Sequence, residues 1–136
     1  MDEKNLIELA YHARESAYAP YSGFRVGAAL LAKSGKIYLG CNIENAAYGP
    51  SNCAERTAFF KAVSEGERTF DAIGIVGGKG EERGDQMCSP CGVCRQALYE
   101  FGGPKLTVIM AKDENDYIVT TLGDLLPYGF GPANLE

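Results

Sequence analysis

The 136-residue sequence has one histidine, no tryptophan and no apolar run approaching the ~20 residues that a membrane-crossing helix needs. It is short of positive charge: 13 Lys and Arg stand against 18 Asp and Glu, a formal net charge of −5. Such a chain makes a poor general binder of nucleic acid, whose phosphates select basic patches. There is no internal repeat, no linker and no low-complexity segment, and the length suits one domain spanning residues 1–136. No P-loop or GxGxxG fingerprint occurs, so a nucleotide-phosphate cradle is not expected. The opening Met-Asp-Glu-Lys-Asn lacks the basic-then-apolar order of a signal peptide, which predicts a cytoplasmic location. With 46% hydrophobic residues the chain has the means to build a core, which excludes global disorder.

Five cysteines remain to be explained. An odd number in a reducing compartment argues against a disulfide framework. Cys88, Cys91 and Cys94 fall within seven residues, a clustering that points to metal or redox chemistry. Cys41 stands apart in an apolar stretch and reads as a small buried residue.

Helical spacing of Leu6, Ala10, Ala13 and Ala17 predicts an amphipathic helix over 3–18, with His12 exposed off its apolar face. Phe24–Leu31 and Ile37–Ile43, joined by Lys33-Ser-Gly-Lys36, read as a β-hairpin. A second helix is predicted from Asn52 to about Glu65, with an apolar stripe of Ala54, Ala58, Phe59, Ala62 and Val63 and a stop at Gly66. Phe70–Val76 reads as a buried strand and Gly77–Gln86 as a surface loop. Ser89 as N-cap and Pro90 at the first helical position open a helix running to about Phe101. Leu106–Ala111 and Tyr117–Thr121 complete the strands, followed by a helical turn over Thr121–Leu126 and a loop tail. The order α, β, β, α, β, α, β, β implies an α/β fold: a five-stranded mixed sheet with helices on both faces and parallel neighbours across the crossovers.

Two of the helix starts carry cysteines: Cys53 in Asn52-Cys-Ala-Glu-Arg56, and Cys91 and Cys94 in Pro90-Cys-Gly-Val-Cys-Arg95. The CxxC spacing sets two thiols on one face of a first turn, where the helix dipole and free N–H groups favour thiolates. Thiolates favour a soft metal, zinc above all. On the residues alone, Asn52-x-x-Glu55 also fits a capping box, and Arg56 fits a solvated surface charge.

Six stretches, in order and spanning nearly the whole chain, carry a resemblance to the cytidine deaminase family in its small homotetrameric branch. They are Tyr18-Ala-Pro-Tyr-Ser, Phe24-Arg-Val-Gly-Ala-Ala-Leu, Gly40-Cys-Asn-Ile-Glu-Asn-Ala-Ala-Tyr48, Cys53-Ala-Glu-Arg-Thr-Ala58, Pro90-Cys-Gly-Val-Cys-Arg-Gln96 and Leu125-Leu-Pro-Tyr-Gly-Phe130. Cys53-x-Glu55 with Pro90-Cys91-x-x-Cys94 resembles the three-cysteine form of the zinc deaminase signature. The resemblance implies a three-layer cytidine deaminase-like fold and one zinc per chain, held by Cys53, Cys91 and Cys94 with water in the fourth position. Glu55 is then the proton shuttle and not a ligand, and Arg56 hydrogen-bonds the ligating sulfurs. It further implies that Phe24 packs on the base, that Asn42 and Glu44 bind the ribose hydroxyls, and that Ala54 is a substrate contact. Tyr48 and Phe130, with the backbone near Ala46, reach a neighbouring subunit's site, so the enzyme is a homotetramer with shared sites. The charges agree with this arrangement. Three thiolates, Zn²⁺ and a hydroxide sum to about −2, which Arg56 and two helix N-termini of roughly +0.5 each bring near neutrality.

The expected activity is hydrolytic deamination of cytidine and 2′-deoxycytidine to uridine and 2′-deoxyuridine with release of ammonia, in pyrimidine salvage. Two alternatives stand beside it: a deaminase of another cytosine nucleoside such as blasticidin S, and a non-catalytic Cys₄ zinc module that recruits Cys88. The Asn42/Glu44 pair argues against the first. Glu55 argues against the second, as does the placement of Cys88 in the loop ahead of the helix.

Overall fold

The computed structural model describes every residue except Asp85. Helix α1 (Glu3–Arg14) starts at Asp2, whose side chain accepts from the Asn5 N–H, and buries Leu6, Ile7, Ala10, Tyr11 and Ala13. It ends four residues earlier than its periodicity predicts. The N–H groups of Glu15, Ser16 and Ala17 tighten onto the carbonyls three residues back, and Tyr18 leaves to donate to the Asn42 carbonyl. His12 is exposed, as expected.

Strands β1 (Phe24–Ala32) and β2 (Ile37–Cys41) form the antiparallel hairpin. β2 stops two residues short of the predicted Ile43, because Ile43 turns away to bridge Tyr18 and Asn52. Those bonds also hold Asn52 out of the next helix, so α2 (Ala54–Ser64) begins with Cys53 as its N-cap. Cys41 is only half-buried, against the expectation of a core position.

β3 (Phe70–Lys79) runs three residues further than predicted. Gly77, Gly78 and Lys79 pair with Val26, Arg25 and Phe24, so they are strand and not loop. Of the rest of that predicted loop, Asp85 lies outside the described residues. α3 (Gly92–Gly102) is capped by Cys91, two residues later than Ser89, since the Pro90 carbonyl is taken by the Arg95 side chain. β4 (Thr107–Asp113), β5 (Asp116–Thr121) and the short α4 (Leu122–Leu125) follow, and the tail closes in a 3₁₀ turn over Pro132–Leu135 where a loop was expected.

The sheet order is β2-β1-β3-β4-β5. Only β3 and β4 are adjacent and parallel. The expectation of parallel neighbours fails across α2, because that crossover passes over β1: β2 and β3 run the same way but flank a strand of opposite direction. Alternation of side chains assigns the two faces. Ala29, Ala72, Val76, Ile109 and Ala111 pack under α1. Ala28, Leu30, Ile73, Ile75 and Val108 pack under α2, α3 and α4.

The seat of α2 is unusually close. A Cβ on Gly40 of β2 would lie 2.4 Å from the Ala54 carbonyl oxygen and 2.5 Å from the Ala58 nitrogen, so the helix rests on bare backbone. Gly40→Ala is therefore expected to lower stability by about 1–3 kcal/mol, as overpacked cores do. A denaturant titration checks this. An unchanged midpoint would show that α2 moves away freely.

Candidate active site

Two helix starts meet beyond the ends of β2 and β3. Cys53 and Cys91 are the N-caps of α2 and α3, both in extended backbone and neither using its side chain as a cap. Cys94 lies in the first turn of α3 and is fully buried. Cys53 Sγ is 3.7 Å from Cys91 Sγ, which is 3.5 Å from Cys94 Sγ. Tetrahedral zinc, bonded at about 2.3 Å to each sulfur, spaces its sulfurs about 3.8 Å apart. Both of these separations are close to that spacing, all three sulfurs lie within 4.8 Å of one another, and they are the one cluster of metal-binding side chains among the described residues.

Electrostatics points the same way. Sharing of a proton with Cys94, and hydrogen bonds from Arg56 and Cys91, bring the Cys53 thiol down to about 5. That sharing and burial push Cys94 well up. Without a cation, then, one sulfur ionises at the expense of its neighbour, and three thiolates at this separation require a positive ion between them. Arg56 Nη2 donates to Cys53 Sγ at 3.5 Å, while its Nε is buried with no partner among the described residues.

Glu55 follows Cys53 by two positions on α2 and is 3% exposed. Burial, reinforced by the nearby Cys53 charge, raises its carboxyl to about 7. A capping box does not form: Asn52 turns its amide to Thr57 Oγ1, and its backbone is paired with Ile43. Glu55 is thus a buried carboxyl beside the thiol cluster that closes no capping box.

Beside the sulfurs opens a cavity of about 310 Å³ whose walls include Phe24, Asn42, Glu44, Ala54, Glu55 and Cys91. Asn42 is already engaged: its Oδ1 accepts from Val26 N–H at 2.9 Å and its Nδ2 donates to the Phe24 carbonyl at 2.7 Å. It holds the start of β1 in place. The Glu44 carboxylate accepts from the Tyr21 and Ser22 N–H groups and from the Ser22 hydroxyl, and these bonds keep its pKa below the usual range. Ser22 is a member of this pocket that the sequence reading passed over.

Tyr48 and Phe130 do not line the cavity of their own chain. Both point outward, Tyr48 at 72% exposure with its backbone at φ 63°. Cys88 also departs from the cluster. Its sulfur lies over Gly77 beside the Phe24 ring, where burial pushes its pKa to about 12. It forms part of the cavity wall, and no Cys₄ site is built. Arg95, which follows a cluster cysteine as Arg56 does, serves the backbone instead, donating to the carbonyls of Pro90 and Leu125 and so holding α3 in place.

A thiol cluster fit to hold a metal, an adjoining buried carboxyl and a small-molecule cavity define a class, the hydrolytic metal centres acting on compact substrates. Comparison with known proteins narrows it. Residues 1–110 match the family model described as the cytidine and deoxycytidylate deaminase zinc-binding region. The chain is 50% identical to a cytidine deaminase of Sporosarcina psychrophila over all of its own length and 96% of that protein. It is 47% identical to one from Halalkalibacterium halodurans, again over its whole length and 99% of the relative. The crystal structure of cytidine deaminase from Burkholderia pseudomallei superposes with a TM-score of 0.87 at 50% identity, covering 96% of this chain and all of that one. The chain belongs to the zinc-binding cytidine and deoxycytidylate deaminase family, and the expected fold and zinc chemistry stand with it.

The different surroundings of the cysteines yield a test. Cys88→Ser should retain one zinc per chain by elemental analysis, whereas Cys91→Ser and Cys94→Ser should each lose most of it. Loss of metal from Cys88→Ser equal to that from Cys91→Ser would place Cys88 in the coordination sphere.

Proposed function

We propose that the chain, as a single domain of residues 1–136, converts cytidine and 2′-deoxycytidine to uridine and 2′-deoxyuridine with release of ammonia, serving pyrimidine salvage in the cytoplasm. The carrying observation is the pairing of a three-thiol cluster at zinc spacing with a buried carboxyl, both opening on one cavity. Similarity to proteins named cytidine deaminase over the full chain supports the substrate.

Cys53, Cys91 and Cys94 would hold the zinc. When bound, zinc would lower the pKa of its water toward ~7 and so supply hydroxide at neutral pH. Glu55 takes a proton from the water that attacks C4 of the base and delivers it to N3. The same carboxylate then takes the remaining proton from the new C4 hydroxyl and hands it to the amino group, the C4–N bond breaks as the C4 carbonyl forms, and nucleoside and water leave as the deaminated nucleoside and ammonia. Its raised pKa suits this traffic, because a group near neutrality both takes and gives a proton. Arg56 offsets the charge of the Cys53 sulfur.

Phe24 gives the base an apolar face, and Ala54 allows it close approach to the α2 start. Glu44 offers its ionised carboxylate to the ribose hydroxyls. Asn42 joins it once its amide exchanges the β1 carbonyl for the sugar.

Tyr48 and Phe130 act on a neighbouring subunit's cavity in a homotetramer. Their outward exposure, and that of Tyr128, supports this role, since apolar rings of this size are normally covered.

Glu55→Gln should keep its zinc and lose about 10²–10⁴-fold or more in turnover, as expected for a group acting through its proton. Near-normal activity in that variant would overturn the mechanism. Light scattering should give a mass near four times the 14.6 kDa of one chain. A fully active monomer would refute the shared sites.

A further inference from the structure

Among the described residues two charged side chains are buried, Glu55 and Arg14. Glu55 has its place in the chemistry, whereas Arg14 has none so far. It closes α1, is 4% exposed, and faces no carboxylate among the described ion pairs. Its guanidinium is spent on backbone. Nε donates to the Arg25 carbonyl at 2.9 Å, Nη2 to those of Gly78 and Gly80 at 2.8 and 3.0 Å, and Nη1 reaches the Glu81 carbonyl at 3.5 Å. An uncompensated buried cation is costly, and a guanidinium does not shed its charge to escape that cost. The carbonyl dipoles are what keep it there.

The position of those carbonyls is informative. Arg25 and Gly78 are partners in the β1–β3 register, and the pairs on either side of them are Phe24–Lys79 and Val26–Gly77. Successive residues face opposite sides of a sheet. Gly78 faces α1: a Cβ there would meet Gly84 Cα at 2.7 Å and Arg14 Nη2 at 3.6 Å. Gly77 faces the other side, behind the cavity wall: a Cβ there would meet Cys88 Sγ at 2.9 Å and the Phe24 ring at 3.1 Å, and it is Phe24 and Cys88 that line the cavity. The Phe24 ring and the Cys88 thiol therefore both rest on the bare backbone of Gly77, one residue along and across the sheet from the guanidinium. The zinc cluster and Glu55 ride on α2 and α3, to which Arg14 makes no hydrogen bond.

We propose that Arg14 is a positioning residue for substrate: from the far face of the sheet it clamps the ends of β1 and β3, and so fixes the wall that Phe24 and Cys88, seated on Gly77, present to the nucleoside. The proposal rests on reading the cavity as a nucleoside pocket. It separates binding from chemistry. Loss of the clamp loosens the wall and leaves the metal and Glu55 where they are.

The test uses Arg14→Met, which keeps the stem and removes every donor, and Arg14→Lys, which restores the charge and part of the bonding. Both are measured as full-length zinc-loaded protein by cytidine kinetics, zinc content and amide hydrogen exchange. Arg14→Met should raise KM about tenfold or more with kcat within about threefold. It should keep one zinc per chain, and it should exchange faster at residues 24–26 and 77–84 alone. Arg14→Lys should fall between it and the wild type. An unchanged KM and exchange pattern would overturn the proposal, as would parallel loss of zinc and kcat.

Should Arg14→Met fail to fold, Gly84→Ala strikes the same segment without altering a residue of α1, since its Cβ would lie 2.1 Å from the Gly77 carbonyl oxygen. A KM-selective defect there supports the wall, and wild-type KM overturns it. A wild-type protein inert on cytidine would instead overturn the nucleoside reading. The exchange comparison would then still decide the clamp: acceleration confined to those two segments supports it, and none overturns it.

Discussion

Three sulfurs drawn within 4.8 Å of one another are the constraint on which the site depends. Two thiolates at such a distance repel by roughly 4 kcal/mol per pair at an effective dielectric of about 20. Nothing in the apolar core would bring them together unaided. They are held by seats fixed elsewhere. Gly40 lets α2 lie on the backbone of β2, and Arg95 ties the start of α3 to the carbonyls of Pro90 and Leu125. Each helix arrives with its N-terminus foremost, so unbonded N–H groups and the positive dipole end face the sulfurs and offset part of the repulsion. A divalent ion offsets the remainder.

The same geometry sets the properties of Glu55. A carboxyl in the first turn of a helix is ordinarily favoured as the anion by the dipole. Burial beneath the cluster wins here and holds the group near neutrality. Had α2 begun at Asn52, as the capping-box pattern suggested, the Glu55 side chain would reach back to close its own helix start. The backbone bridge between Ile43 and Asn52 delays the helix, makes Cys53 the cap and frees the carboxyl.

That delay also marks the limit of what the sequence discloses. Element order, the five-stranded mixed sheet and the identity of the cysteine cluster were legible, because periodicity, turn residues and motif spacing are local signals. The helix starts were not. Asn52 and Ser89 are better N-caps than cysteine by propensity, and each lost to another hydrogen bond: the bridge from Ile43 for the first, and for the second the Arg95 side chain's hold on the Pro90 carbonyl. Gly77–Lys79 read as loop since glycine is a poor strand former, yet β1 needs a partner along its whole length. Arg14 gave no signal at all. A basic residue in the last turn of a helix reads as a solvated complement to the dipole, and only the fold shows the carbonyls that enclose it. The spacing of Cys88 left its role open, and its packing on Gly77 depends on a register that no spacing reveals.

Topology explains why segments so distant in sequence meet in one place. β2 and β3 run parallel without touching, and each hands the chain to a cysteine-bearing helix at its carboxyl end. Both helix N-termini therefore lie beyond the same edge of the sheet, where open α/β sheets bind their ligands. β1, wedged between them and antiparallel to both, presents its first residue to that edge rather than its last. Phe24 at the start of β1, Asn42 and Glu44 just past β2, and Cys88 past β3 are thereby brought to the mouth of the thiol cluster. A parallel strand in the place of β1 would have carried Phe24 to the opposite end of the sheet. The cavity would then keep its metal-binding side and lose the aromatic wall facing it, so the antiparallel insertion of one strand is what joins a metal centre to a binding pocket.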